Sequence, residues 1–144
     1  DHNGVKIDDH RSRLLCRVVN DIDYHQTNLY RWKDGKSENR DFPAEIKDNR
    51  LFFTGPIDGW AAKVDLDEHE RTLLLYWERK DETDLYLYEM IQVSNNGNNR
   101  ARTWHWFKNG VLAKRTLIDE VKLTKNWSEY DGKDPSYDEI LKGG

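Results

Sequence analysis

Arg100, Arg102, Trp104 and Trp106 stand at every second position of one segment, and Asn109-Gly110 follows directly behind them. Guanidinium groups grip anions through paired N–H donors, and indole rings offer flat area on which an apolar or conjugated body can stack. Asn-Gly suits the two central positions of a type I′ turn, since both require φ > 0. A hairpin is therefore expected in which Lys108 faces Val111. Pairing would run back through Phe107–Leu112, Trp106–Ala113, Trp104–Arg115 and Arg102–Leu117 to Arg100–Asp119. Because side chains alternate across a strand, Arg102, Trp104, Trp106, Arg115 and Asp119 would share one face. The opposite face would carry Phe107, Leu112, His105, Lys114, Thr103 and Ile118. A face of tryptophan, arginine and carboxylate suits the wall of a polar-aromatic pocket. The alternative is that it looks outward, with its arginines solvated and its tryptophans covered by the N-terminal arm.

Glu89 is the second candidate. On the run Leu85 to Val93 it shares a row with Leu85, Leu87, Ile91 and Val93. A carboxylate in an apolar row must find a partner or hold its proton more tightly, and the latter suits a general acid. The alternatives are that Glu89 pairs with an arginine, or that the other row, Tyr86, Tyr88 and Met90, faces inward. Tyr76, Tyr88 and His25 could add hydrogen bonds to a ligand, depending on which parity faces in. His105 lies on the face opposite Trp104, and no His pair has metal-ligand spacing. His2, His10 and His69 read as solvated. No metal site and no cofactor are expected, because phosphate-binding glycine loops, a Gly-x-Ser-x-Gly elbow and HExxH are all missing. Asp65, Asp67, Glu68 and Glu70 crowd one turn without the pattern of an EF-hand.

These residues need a scaffold. The chain has 144 residues, 35% of them charged, with six Trp, seven Tyr and four Phe. That length suits one domain, and the aromatic content argues against disorder. The net charge of −4, with signs mixed along the chain, is a poor match to nucleic acid, so no nucleic-acid partner is expected. Cys16 is the one cysteine, so no internal disulfide can form, which leans towards a reducing, cytoplasmic setting. No apolar run approaches the roughly 20 residues a spanning helix needs, so no membrane insertion is expected. The chain starts at Asp1, and trimming could have removed a leader.

Strand-like segments follow one another with turn signals every ~8–12 residues. They are 14–19, 25–32, 36–46, 51–53, 60–66, 72–79, 85–93 and the two arms of the hairpin. Asp34-Gly35 is a second I′ signal, and Pro43 belongs on an edge or at a bulge. Short connections between sequential strands favour an up-and-down barrel over a Greek-key sandwich, and about eight strands can enclose one small ligand. The expected fold is all-β: a single closed, antiparallel, up-and-down β-barrel of about 8–10 strands over residues 13–124. A polar arm (1–12) precedes it. A tail (125–144) follows, with a short C-terminal helix begun by Asp134-Pro135, passing through Ile140 and Leu141 and ended by Gly143-Gly144.

The meander, its Trp/Arg-rich strand, the tight Asn-Gly turn and the closing Arg115-Thr116-Leu117-Ile118-Asp119-Glu120 resemble the lipocalin-like (calycin) barrels. The nearest likeness is to the intracellular bacterial and cyanobacterial branches, which include the barrel-shaped phycobilin lyases. That resemblance implies a small hydrophobic or amphipathic ligand held in the barrel, and in a few members isomerisation, cyclisation or chromophore transfer. The expectation is thus binding of a largely apolar molecule with an anionic or polar end by Arg102, Trp104, Trp106, Arg115, Tyr76, Tyr88 and His25, in a monomer or homodimer. A rival is a cofactor-free lyase, isomerase or cyclase using Glu89 or Asp119 as acid or base. A third is an interaction module with an exposed aromatic surface and a solid interior.

Overall fold

The computed structural model describes residues 1, 3–64, 68–126 and 134–142. His2, Asp65, Leu66, Asp67 and Gly143-Gly144, named above, lie outside the described residues. The chain forms nine strands: β1 (Arg11–Val18), β2 (Asp23–Arg31), β3 (Ser37–Lys47), β4 (Arg50–Phe53), β5 (Ile57–Lys63), β6 (Thr72–Arg79), β7 (Leu85–Val93), β8 (Asn99–Lys108) and β9 (Val111–Val121). Each pairs antiparallel with the next, in the order β1 to β9. This up-and-down sheet curls into a half-barrel. Among the described residues no backbone pairing joins β1 to β9, so the ring expected to be closed has a seam. No helix among them is long and apolar enough to cross a membrane.

Local chemistry explains the turns. Asn109 (φ 51°) and Gly110 (φ 77°) both sit in the left-handed region, as the I′ reading requires, and so do Asp48 and Asn49 between β3 and β4. At Asp34-Gly35 only Gly35 has positive φ. Its N–H bonds the Trp32 carbonyl, and the Trp32 N–H bonds that of Lys36, which is a three-residue connection in place of I′. Gly59 is required by crowding: a Cβ there would lie 2.0 Å from the Tyr76 carbonyl oxygen and 2.5 Å from Trp77 Cα.

The concave face carries the main core. Phe42, Ile57, Trp77, Leu87 and Trp106 pack together, flanked by Phe53, Leu85 and Trp104. Ala61, Leu75 and Ile91 continue this floor. Trp77 meets both Trp106 and Trp104 edge-on, at centroid distances of 5.3 and 6.4 Å, a favoured arrangement for aromatic quadrupoles.

The tail forms no helix among the described residues. Residues 137–141 make turns, with one helix-like bond from Ile140 N–H to the Ser136 carbonyl. Pro135 starts it, but the segment lacks the length that makes a helix stable. It is held instead by arginines on the convex face of β1 and β2. Arg13 donates to the carbonyls of Glu139, Ile140 and Lys142, Arg11 to that of Tyr137, and Arg31 to that of Pro135. Ile140 is fully buried, and Leu15 and Leu29 on that face of β1 and β2 are buried too.

Candidate functional site

The expected hairpin register holds only beside the turn. Lys108 pairs Val111 and Phe107 pairs Leu112, but Trp106 then pairs Lys114, leaving Ala113 as a one-residue bulge. A bulge puts two residues opposite one and reverses every later side chain. Thr116, Ile118 and Glu120 therefore share the concave face with Arg102, Trp104 and Trp106, while Arg115 and Asp119 stand exposed on the convex face. This corrects the expectation that placed Arg115 and Asp119 on the tryptophan face.

Glu89 points inward, between Leu87 and Ile91. It pairs across β7–β8 with Trp104, and its side chain is 1% exposed. Its Oε1 accepts from Arg102 Nε at 2.5 Å. Arg102 Nη1 reaches Glu120 Oε1 at 2.9 Å, and the other oxygen of Glu120 accepts from Arg100 Nε at 2.5 Å. The result is an alternating network, Glu89–Arg102–Glu120–Arg100. Burial alone would disfavour the Arg102 charge. The fields and hydrogen bonds of Glu89 and Glu120 outweigh that effect, so Arg102 binds its proton more tightly than an ordinary arginine. Its guanidinium lies 5.5 Å from the Trp104 ring centre. Trp106 Nε1 donates to Thr116 Oγ1 at 3.0 Å, whereas Trp104 Nε1 is buried without a partner.

The facing wall is β2, where every second residue is polar and inward. Tyr24 OH donates to Gln26 Oε1 (2.9 Å), Gln26 Nε2 to Asn28 Oδ1 (2.8 Å), and Asn28 Nδ2 to Tyr30 OH (2.7 Å). The half-buried Cys16 on β1 lies beside Gln26. Burial raises the pKa of both phenols. Cys16 adds to the rise at Tyr24, and the charges of Arg100 and Arg102 partly offset it; at Tyr30 the Asn28 bond and the charges of Arg102 and Arg40 do so. Both polar walls line one hollow. Beyond Tyr30, the arm bends over the end of the wall: Trp32 Nε1 donates to Asp8 Oδ1, and His10 packs on the rings of Tyr30 and Trp32.

The hollow between these walls opens to solvent and is continuous with the space along the arm, the tail and the edges of β1 and β9, about 1740 Å³ in all. Of the residues singled out from sequence, Glu89, Arg100, Arg102, Trp104 and Trp106 face into the hollow, while Arg115 and Asp119 border the same space from the convex side of edge strand β9. Tyr76, Tyr88 and His25 do neither. Tyr76 and Tyr88 join Tyr86 and Phe107 in an aromatic cluster on the convex face, with Tyr88 54% exposed. His25 lies on the convex face of β2, 3.5 Å from Asp41. Among the described residues no three His, Cys, Asp or Glu side chains gather as metal ligands. Tyr24, Gln26, Asn28, Tyr30 and Glu120 were not foreseen from the sequence. The alternation Tyr-x-Gln-x-Asn-x-Tyr was visible, but the interleaved row His25-x-Thr27-x-Leu29-x-Arg31 is equally mixed.

Comparison with known protein families, with curated proteins and with solved structures returns no match.

Proposed function

We propose that the curled sheet binds a small, largely apolar molecule with a polar end, as a lipocalin-like barrel would. One observation carries this reading. The concave face is divided into an aromatic and aliphatic floor and two hydrogen-bonding walls around an open hollow, the mix of apolar lining and a few placed polar groups that ligand sites use. Trp104 and Trp106 supply ring surface beside Arg102, and the β2 row supplies directional polar contacts.

The rival acid–base reading has less support. Glu89 is already engaged by Arg102, and Asp119 faces away. The interaction reading draws on the convex cluster of exposed Tyr88 with half-buried Tyr76, Tyr86 and Phe107, flanked by exposed Leu74 and Met90. It also called for a solid interior, which the cavity does not supply.

Native mass spectrometry of freshly purified protein tests the proposal. A retained small molecule at one-to-one stoichiometry, lost in Trp104→Ala, is expected. Bare protein that takes up no apolar probe would remove the reading.

A further inference from the structure

The hollow's polar groups also restrict what its guest can carry. We infer that the cavity selects an uncharged molecule whose polar end is a hydrogen-bond acceptor, such as a ketone, ester or ether oxygen on an apolar body. This rests on the binding reading above and sharpens it, because an anionic end is excluded.

The first ground is charge balance. Each arginine on the concave face has a carboxylate partner: Arg40 with Glu38, Arg79 with Asp81, Arg100 with Glu120, and Arg102 with both Glu89 and Glu120. Lys63 pairs with Glu70, and Lys114, exposed near the seam, lies 4.6 Å from the Trp106 ring centre. A carboxylate on the buried floor would find no unmatched arginine, since Lys114, the cation of this face given no carboxylate above, stands exposed at the seam. It would either displace Glu120 or stay buried without a countercharge, and both are costly.

The second ground is the direction of the β2 ladder. Each bond consumes an acceptor: Gln26 Oε1 takes the Tyr24 proton, Asn28 Oδ1 takes a Gln26 N–H, and Tyr30 OH takes an Asn28 N–H. Each bond also uses a donor, so the row keeps lone pairs as well as protons: the Tyr30 hydroxyl proton and one N–H each on Gln26 and Asn28 stay free to donate. With both amides flipped the ladder would run the other way and leave the Tyr24 proton in place of that of Tyr30. Trp104 Nε1 on the opposite wall is a further donor without a protein partner. A guest oxygen can accept from Trp104 Nε1 and from these leftover protons, whereas an ammonium brings only donors and leaves Trp104 Nε1 unmet.

Quenching of Trp77, Trp104 and Trp106 fluorescence by four probes of one chain length tests the inference: 2-dodecanone, dodecanoate, dodecylamine and dodecane. The ketone is expected to bind at least about tenfold more tightly than each of the others, ~1.4 kcal/mol. Dodecanoate binding tightest would overturn the inference, and so would dodecane equalling the ketone. Failure of all four would instead overturn the cavity reading beneath it. In Glu120→Gln one negative charge is lost, so dodecanoate should gain about tenfold; a destabilised but otherwise neutral site would show no such gain, and its absence counts against the charge argument. Trp104→Phe keeps an aromatic ring but removes the buried N–H that has no partner, and should reduce the ketone's advantage over dodecane. An unchanged advantage would overturn the donor argument.

Discussion

Glu89 and Arg102 are diagonal neighbours and not register partners. Glu89 stands opposite Trp104 and Arg102 opposite Ile91, yet the carboxylate and the guanidinium meet at 2.5 Å in the buried space between them. Diagonal positions on one face of an antiparallel pair lie within reach of long side chains. At 1% and 6% side-chain exposure neither charge can turn to water. Removing one therefore strands the other.

Glu89→Leu alone should destabilise the fold by about 3–5 kcal/mol. Adding Arg102→Met should recover much of that loss, since a well-packed apolar pair can replace a buried ion pair. Urea denaturation of both single variants and the double variant measures the coupling. Additive losses would show that the two groups act independently.

The two cavity tryptophans should differ. Trp106→Phe gives up the bond to Thr116 Oγ1, whereas Trp104→Phe removes a buried N–H that has no partner. Trp106→Phe is expected to cost about 1 kcal/mol more than Trp104→Phe. Equal losses by chemical denaturation would contradict the bonding described for the two rings.

Alkaline pH should unfold the protein through Tyr24 and Tyr30. Both phenols have folded-state pKa values raised above the ordinary 10.0. The folded chain keeps these protons at a pH where the unfolded chain has lost them. Stability from this source is complete below about pH 10 and declines above it, as the unfolded state ionises first. Tyrosinate absorbance should show Tyr24 and Tyr30 titrating only with unfolding, and Tyr24→Phe should make the alkaline decline shallower.

Deleting Ala113 should be tolerated, because Lys114 to Val121 keep the partners they already have. Deleting Thr116 should not be, since it would turn Ile118 and Glu120 outward and break the contact to Arg102. Thermal unfolding compares the two deletions. Similar midpoints would mean that the bulge does not set the register.

Gly59→Ala places a methyl group against the Tyr76 carbonyl and Trp77 Cα, which are backbone and cannot rotate aside. A loss of about 1–3 kcal/mol is expected from overpacking. Calorimetry reads it directly, and an unshifted midpoint would contradict the close approach of β5 to β6.

Strand order was legible from the regular turn signals, and Asn109-Gly110 marked the last hairpin correctly. The inward row Leu85, Leu87, Glu89, Ile91 could be read because its neighbours alternate cleanly with Tyr86, Tyr88 and Met90. Tyr76 and Tyr88 were misplaced for the converse reason: aromatic residues suit either face, and parity decides between them. Arg115 and Asp119 were lost to Ala113, since nothing in Val-Leu-Ala-Lys announces a bulge. The tail's one turn, read as a helix from Asp134-Pro135, is set by distant arginines that local pattern cannot reveal.

The unjoined margins of β1 and β9 have a consequence for crowded solutions. Among the described residues neither has a further strand beside it, which makes each a template onto which another molecule's margin could zip. Along β9, Lys114 and Arg115 are followed by Asp119 and Glu120, so two margins laid side by side in parallel register would set like signs together. Colloidal stability should thus hinge on this one strand, failing first in concentrated salt, where that repulsion is muted.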